Sequence, residues 1–309
     1  MSLRRISAYA AIYLLWGGAY LAVRALVQVL PAFLVAGVRY GVAAILLAPL
    51  LLIRRDQTHT WRQMFNALWT GALMLAVGYG VVFWAEKSLP SWIVATLVST
   101  SFLWTYLGES LLLRTYRFQL KMLLPLLAGL AGTPLLVGIS FRHDRISVIS
   151  TLLVLGGALS WAAGSLAVKR IDMPRSYIQT ATYQLAIAGL LLLLLSGALG
   201  EWTGLPSAAQ MFARRPILAM IYLVIGASVI SLAAYHWLLA REPASLVATF
   251  AYVNPIVAMV LGIAAAHESY MRVQIVGACI VLGSIIAVWY LQGHPARPVV
   301  NAPQTIPDR

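Results

Sequence analysis

The chain has 309 residues, of which 61% are hydrophobic and 10% are charged. Soluble domains carry about 25% charged residues, so the charge here is too sparse to cover a water-facing surface, and the mean hydropathy of +0.85 agrees. The net charge of +13 comes from short basic clusters between apolar runs, which is typical of membrane topology and not of a nucleic-acid groove. The composition therefore indicates a polytopic protein of the lipid bilayer that does not bind nucleic acid.

The chain contains a succession of apolar runs long enough to cross a bilayer as helices of roughly 20 residues. The first run follows Arg4 and Arg5 and imitates a signal peptide, but only further apolar runs come after it, so we interpret it as a transmembrane helix. The predicted spans are 7–23, 32–53, 66–86, 91–113, 120–140, 148–168, 177–199, 217–240, 244–266 and 272–292. Residues 293–309 are Pro-rich and predict a disordered cytoplasmic tail.

The distribution of Lys and Arg predicts the orientation of the ten spans. With both termini placed in the cytoplasm, fourteen of the 22 basic residues fall in cytoplasmic segments and seven in outer segments. This bias follows the positive-inside rule, so we expect a multi-pass protein of a bacterial inner membrane with both ends inside. The lone Cys279 excludes a disulfide framework and predicts a small core residue.

Two pairs of similar segments reveal an internal repeat. The segment Pro90–Thr96 matches Pro243–Thr249, and Trp16–Arg24 resembles Trp161–Lys169. The repeats are therefore predicted at 1–145 and 146–292, with five spans each. Because five is odd, the two halves point in opposite directions across the membrane, an arrangement typical of secondary transporters. The predicted fold is all-α, with ten transmembrane helices in two inverted five-helix repeats.

The same segments resemble a known family. The end of span 1, W-G-x-x-Y-L-A-V-R from Trp16, together with Arg39-Tyr40, Ala234–Leu239, Ala251–Pro255 and Glu268, is similar to the drug/metabolite transporter superfamily, in particular to its ten-helix EamA type. The resemblance covers about residues 5–292. It implies an exporter of small metabolites such as amino acids, and it does not fix the substrate. Ser101-Phe102 stands where the second repeat has Asn254-Pro255, so the two halves are unequal there.

Span 9 carries Tyr252, Asn254 and Pro255 near its middle. A mid-helix Pro frees the carbonyl four residues back, which lipid cannot satisfy. We therefore expect this helix to face a cavity, with Asn254 contacting the cavity and Tyr252 reaching it only if the helix is distorted.

Two ionisable residues lie within the spans. Arg39 is a functional-site candidate that could bind a substrate carboxylate, and the alternative is a structural Arg whose head reaches the interface or helix-end carbonyls. His236 is the one deep group that titrates near neutral pH, and the alternative is a satisfied structural His. None of the nine acidic residues lies deep within a span, which argues against proton antiport through a deep carboxylate.

Polar and aromatic side chains gather in spans 1, 3, 4, 6, 8 and 9. Trp16 and Trp161 occupy equivalent repeat positions near mid-span, which an interfacial aromatic belt does not explain. An aromatic lining suits an amphipathic ligand. The full set of predicted substrate-cavity residues is Trp16, Tyr20, Arg39, Tyr79, Trp84, Trp161, Ser165, His236, Tyr252 and Asn254.

The leading hypothesis is a secondary transporter that exports small metabolites, such as amino acids or related amphipathic compounds, by alternating access. We expect it to act as a monomer or homodimer, without cofactor or metal. The alternative is a membrane-embedded enzyme acting on a lipid or isoprenoid substrate. The sequence shows no paired carboxylates, phosphate loop or nucleophile motif, so we expect no enzyme.

Overall fold

A computed structural model describes residues 2–53, 59–85, 89, 91–115, 118–137, 148–266 and 272–293. All regular secondary structure in these residues is helical and forms ten long segments and one one-turn helix. Eight of the segments are long and apolar enough to cross a membrane, and Leu120–Leu136 is a shorter apolar helix. The chain is therefore an all-α polytopic membrane protein, as the composition predicts.

The first five segments are Leu3–Val27 (α1), Ala32–Ile53 (α2), Trp61–Gly71 with Ala72–Tyr79 and Gly80–Ala85 (α3), Ser91–Leu107 with Gly108–Leu112 (α4), and Leu120–Met122 with Leu123–Val137 (α5). The second five are Val148–Arg170 (α6), Tyr177–Ala198 (α7), Arg214–Ile221 with Tyr222–Ile230 and Ser231–Leu239 (α8), Ala244–Val247 with Phe250–Ala266 (α9), and Arg272–Gly293 (α10). A one-turn helix, Ala208–Met211, precedes α8.

Three helices begin earlier than the apolar runs suggest. Helix α3 begins at Trp61 because Thr60 and Gln63 form a capping box, in which Thr60 Oγ1 accepts from the Gln63 amide at 3.2 Å and Gln63 Oε1 accepts from the Thr60 amide at 3.0 Å. This S/T-x-x-E/Q pattern satisfies two free amides at a helix start. Helices α1 and α8 begin at Leu3 and Arg214, where basic residues precede the apolar run.

Equivalent helices of the two halves make corresponding packing contacts. Helix α2 packs on its equivalent α7, and α5 packs on its equivalent α10; α1 packs on α8 and α9 as α6 packs on α3 and α4. An odd number of helices in each half makes equivalent helices antiparallel, so the halves are inverted repeats. The boundary predicted at 145 and 146 and the tail after residue 293 lie outside the described residues.

Glycines let the equivalent helices approach closely. A Cβ on Gly189 of α7 would lie 2.6 Å from the Gly41 amide nitrogen of α2, and a Cβ on Gly277 of α10 would overlap the backbone of Leu136 in α5. Small residues at such crossings allow backbone contact within a membrane. Cys279, which the sequence predicts to be a core residue, is instead exposed, because α10 presents this face to the surface of the bundle.

Both α3 and α8 contain a π-helical stretch in the middle, at Ala72–Tyr79 and Tyr222–Ile230. These two helices are equivalent members of the two repeats. A π-helical turn changes the direction of side chains along a helix and is frequent at functional sites. The two halves therefore share this irregular backbone at equivalent places.

Pro255 in α9 frees the carbonyl four residues back, and a side chain of the protein, not a cavity, satisfies it. The Ala251 carbonyl accepts a hydrogen bond from Ser99 Oγ of α4 at 3.1 Å. Protein therefore satisfies this carbonyl, as the bilayer requires. Helix α9 packs between α1, α4 and α5.

Candidate functional site

A partly open cavity lies between the two repeats, and its empty space of about 550 Å³ includes space that is open to the outside of the bundle. The π-helical stretches of α3 and α8 contribute Leu75, Tyr79, Ala227 and Ser228 to its wall. Along α1 its lining runs from the middle of the helix towards the end that leads into α2. The remaining lining residues are Trp16, Ala19, Tyr20, Val23, Arg39, Tyr40, Val82, Phe83, Trp161, Leu185 and Leu232.

An aromatic cluster of Trp16, Trp161, Tyr235 and Phe250 borders the cavity on the side of the α1 N-terminus. The Trp16 ring lies 4.7 Å from the Phe250 ring and 5.3 Å from the Tyr235 ring, measured between centroids. The Trp16 Nε1 donates to the Ala227 carbonyl at 2.8 Å. Trp16 meets Phe250 edge-on and Tyr235 at a tilt, and such contacts are favourable for aromatic rings.

Arg39 is the cationic residue of the lining. Its side chain is buried, its Nε donates to Ser228 Oγ at 2.8 Å, and its Cζ lies 5.0 Å from the Tyr40 ring centroid. Within the described part of the chain, no carboxylate lies within ion-pair distance of its guanidinium. The guanidinium is therefore held in position by neutral groups beside an apolar cavity.

An ionic layer of Arg5, Glu109, Lys169 and Glu242 closes the bundle at the α1 N-terminal end. Glu109 is 1% exposed and accepts from the amides of Ala244 and Ser245 at 2.8 and 2.9 Å, and from Ser245 Oγ at 2.6 Å. The carboxylate thus caps the first turn of α9, where free amides favour a negative charge.

Lys169 joins α6 to this layer. Its Nζ lies 3.6 Å from Glu109 Oε1 and donates to the Glu242 carbonyl at 2.5 Å. Arg5 pairs with Glu242 at 2.6 Å. Burial raises the pKa of the Glu242 carboxyl above its ordinary value, and Arg5 and Lys169 oppose that rise. The layer therefore ties the ends of α1, α4, α6 and α9 together.

His236 lies in a buried chain of polar groups away from the cavity lining. Its Nε2 is 2.7 Å from Gln184 Oε1, Gln184 Nε2 donates to Thr70 Oγ1 at 3.0 Å, and Thr70 donates to the Asn66 carbonyl at 2.7 Å. The chain joins α8, α7 and α3 and, within the described residues, ends on a backbone carbonyl. The hydrogen bonds of this chain therefore hold the three helices together.

The structure brings five of the ten predicted cavity residues into one lining: Trp16, Tyr20, Arg39, Tyr79 and Trp161. Ser165 lies beside the aromatic cluster, where its Oγ is 2.7 Å from the Tyr235 hydroxyl. Trp84 packs between two apolar clusters of the core.

Tyr252 and Asn254 lie on other faces of α9. Tyr252 is fully buried against Phe102, with ring centroids 4.9 Å apart, and donates to the Leu126 carbonyl at 2.5 Å. Asn254 is buried where α9 meets α1, since a Cβ on Gly17 of α1 would lie 3.3 Å from the backbone carbonyl oxygen of Asn254. Pro255 leaves Tyr252 turned towards α5, so the helix does not bring this ring to the cavity.

Sequence reasoning missed Tyr40, Phe83 and Ser228 of the lining and the roles of Glu109 and Lys169. Tyr40 and Ser228 sit in apolar runs with no local signal, and only the pairing of α2 with α8 brings Ser228 to Arg39. The role of Glu109 could have been predicted from the sequence, because an acid in the last turn of an apolar helix needs a buried partner. The described residues hold no cluster of three or more His, Cys, Asp or Glu that could bind a metal ion.

The fold and the cavity at the repeat interface define the class of the protein as a membrane transporter. The sequence profile of the EamA-like transporter family matches residues 6–138 and 148–290. The chain belongs to this family.

Three similar proteins agree with the assignment to a transporter family. The chain is 34% identical to the inner membrane transporter YedA of Escherichia coli (strain K12), over 94% of this chain and 92% of that protein. It is 27% identical to the transporter YvbV of Bacillus subtilis (strain 168), over 90% and 89% of the two chains. It is 21% identical to a probable amino-acid metabolite efflux pump of Salmonella typhimurium, over 89% and 91%.

A solved crystal structure shares the fold, with a TM-score of 0.75 and 19% identity, over 95% of this chain and 99% of the other. At this identity the likeness shows the fold alone. It extends over both repeats, which is what the inverted-repeat architecture requires.

Proposed function

We propose that this chain is a secondary transporter that exports small metabolites, such as amino acids or related amphipathic compounds, by alternating access. The observation that carries the proposal is the cavity at the interface of two inverted repeats, lined by aromatic and apolar side chains with one cation. Substrate sites of inverted-repeat transporters lie at this interface. The Salmonella typhimurium relative, described as a probable amino-acid metabolite efflux pump, supports the direction and the substrate class.

The asymmetry of the bundle supports alternating access. The aromatic cluster and the ionic layer lie on one side of the cavity, and the lining extends towards the opposite end of α1. A transporter needs a second state in which the ionic layer parts and the far end closes. We propose that both termini lie in the cytoplasm, so that the described state is closed to the cytoplasm.

The transport proposal is tested with purified protein in liposomes. Exchange of radiolabelled amino acids and of related amphipathic compounds is measured with and without an imposed pH gradient, against protein-free liposomes as the control. We expect saturable exchange of at least one compound. If no compound exchanges above the control, while the protein is folded and inserted, the transport proposal fails.

The orientation is tested by thiol labelling in a Cys279→Ser background. Helix topology places the one-turn helix Ala208–Met211 on the outer side and His59 on the cytoplasmic side, if both termini are inside. We expect Ala208→Cys to react with a membrane-impermeant reagent in intact cells and His59→Cys to react only after permeabilisation. The reverse pattern would place both termini outside.

A further inference from the structure

The charges around the cavity select among the substrates that the proposed function allows. Arg39 supplies a positive charge to the lining, and the described lining residues include no acid. Among the described residues the acids are all engaged elsewhere. Glu109 and Glu242 lie in the ionic layer, Asp172 accepts from Gln63, and Glu201 accepts from the Leu34 amide at 3.0 Å. The described wall of the cavity is therefore cationic.

The Arg39 guanidinium is held in position, but some of its hydrogen-bond donors have no acceptor among the described residues. Its Nε is occupied by Ser228 Oγ at 2.8 Å, whereas the described residues offer neither Nη group a hydrogen-bond acceptor. A guanidinium presents its donors as a planar fork that matches the two oxygens of a carboxylate. With Nε held by Ser228, the two Nη groups remain available to one anionic group in the cavity.

A second donor lies in the same lining. The Trp161 Nε1 is buried and makes no hydrogen bond of ordinary geometry with the described residues, although it lies near the Tyr235 hydroxyl; the Trp16 Nε1, in contrast, donates to the Ala227 carbonyl. A buried donor without an acceptor is costly. An acceptor group on a bound molecule would satisfy it, and an ammonium group would not.

The remaining lining residues determine which kind of ligand body fits the cavity. Leu75, Val82, Phe83, Leu185 and Leu232 contribute apolar surface beside the aromatic rings, and such surface binds an apolar or aromatic body. An ammonium group in this cavity would meet the Arg39 charge without a described carboxylate to offset it. The lining therefore disfavours cations and, to a lesser degree, zwitterions.

We propose that the cavity binds organic monoanions with an apolar or aromatic body, in preference to amino acids and amines with the same body. This inference rests on the proposed function, since it names the substrate class of the transport cavity. Arg39 binds the carboxylate of the substrate through its Nη groups, Ser228 orients Arg39, and the aromatic cluster contacts the body.

The test uses three probes with one body and three charges: phenylacetate, phenylalanine and 2-phenylethylamine. Equilibrium binding of each radiolabelled probe is measured at neutral pH on the full-length protein in lipid nanodiscs. We expect phenylacetate to bind at least about tenfold more tightly than phenylalanine, with 2-phenylethylamine weakest. An equal or reversed order overturns the proposal, as does the absence of binding by all three at about 1 mM.

Variants test whether Arg39 causes the preference for the anionic probe. Arg39→Gln should weaken phenylacetate binding by about tenfold or more and leave 2-phenylethylamine unchanged or improved, and Arg39→Lys should retain part of the preference. The matched control is Arg241→Gln, because Arg241 lies over Trp237 outside the cavity lining, and it should change nothing. A preference that survives Arg39→Gln in folded protein overturns the assignment. If Arg39→Gln does not fold, the order of the three probes on the parent protein decides.

Failure of this inference is distinguishable from failure of the transport proposal. Exchange of amino acids in liposomes, combined with a reversed charge order in binding, would leave a transporter with a different substrate class. Preferential binding of phenylacetate, with no exchange of any bound compound, would leave an anion-binding protein that does not transport.

Discussion

Trp16 and Trp161 contact each other edge to face, with ring centroids 5.6 Å apart and an interplanar angle of 85°. They occupy equivalent positions of the two repeats. Two residues related by a two-fold axis can touch only where that axis passes close to both. The pseudo-two-fold axis therefore passes through the aromatic cluster, at the edge of the cavity.

The two tryptophans differ in their hydrogen bonding, which gives a matched pair of substitutions. Trp16→Phe removes the donor to the Ala227 carbonyl in the π-helical stretch of α8, and a buried acceptor left unsatisfied costs about 1–3 kcal/mol. Trp161→Phe removes a ring nitrogen that makes no hydrogen bond of ordinary geometry with the described residues. We expect the thermal unfolding midpoint in detergent to fall clearly for Trp16→Phe and little for Trp161→Phe. Equal losses would contradict the asymmetry.

The ionic layer gives a comparison between a buried and an exposed ion pair. Glu109→Gln removes the charge that faces Lys169 and caps α9, and loss of one partner of a buried charged network costs about 2 kcal/mol or more. Arg5→Gln acts on a residue that is 41% exposed, where an ion pair contributes about 0–1 kcal/mol. We expect the larger fall in unfolding midpoint for Glu109→Gln.

A double variant separates the ion pair from the cap. Because Lys169→Met removes the unpaired cation that Glu109→Gln leaves behind, the combined variant should lose less stability than the sum of the two single changes. Additive losses would show that Glu109 acts through the amides of Ala244 and Ser245 alone.

His236 should not carry the transported proton. A charged imidazole in its buried site would have no described counter-ion, since its Nε2 contacts Gln184, and burying an unpaired charge is expensive. We expect His236→Gln in liposomes to respond to a pH gradient as the parent protein does. Loss of that response alone, with folding and gradient-free exchange intact, would identify His236 as the proton carrier.

Helix α10 offers a matched pair of glycines. A Cβ on Gly277 would overlap the α5 backbone, whereas a Cβ on Gly283 would meet nothing within 4 Å. Gly277→Ala should therefore lower the unfolding midpoint by forcing α5 and α10 apart. Gly283→Ala should be neutral or stabilising, since Ala is favoured over Gly in a helix by about 1 kcal/mol. Equal effects would contradict the close approach of these helices.

The architecture could be predicted from the sequence because lipid imposes helices and because the repeat leaves paired motifs such as Pro243–Thr249. Helix starts were less accurate where polar caps extend the helix beyond the apolar run, as at Thr60. The predictions for Trp16 and Arg39 depended on position within a span, and both residues line the cavity.

The rest of the site depends on tertiary contacts that local sequence does not show. The sequence predicts that Tyr252 reaches the cavity only if Pro255 distorts the helix, but the face that Tyr252 presents is set by the packing of α9 on Phe102. Ser228 was overlooked because its role arises only where α8 meets α2. The Ala251 carbonyl needed a partner, and only the packing of α4 shows that Ser99 supplies it.

The central claim is that substrate crosses the membrane through the cavity between the repeats, and filling that cavity tests it most directly. Ala19 lines the cavity, whereas Leu21, two residues further along α1, is exposed. The measurement is exchange in liposomes of any compound that the parent protein exchanges. Ala19→Phe should reduce the rate by about tenfold or more, and Leu21→Phe should leave it near the parent rate. Equal, parent-like rates for both variants would contradict the account and place the substrate path outside this cavity.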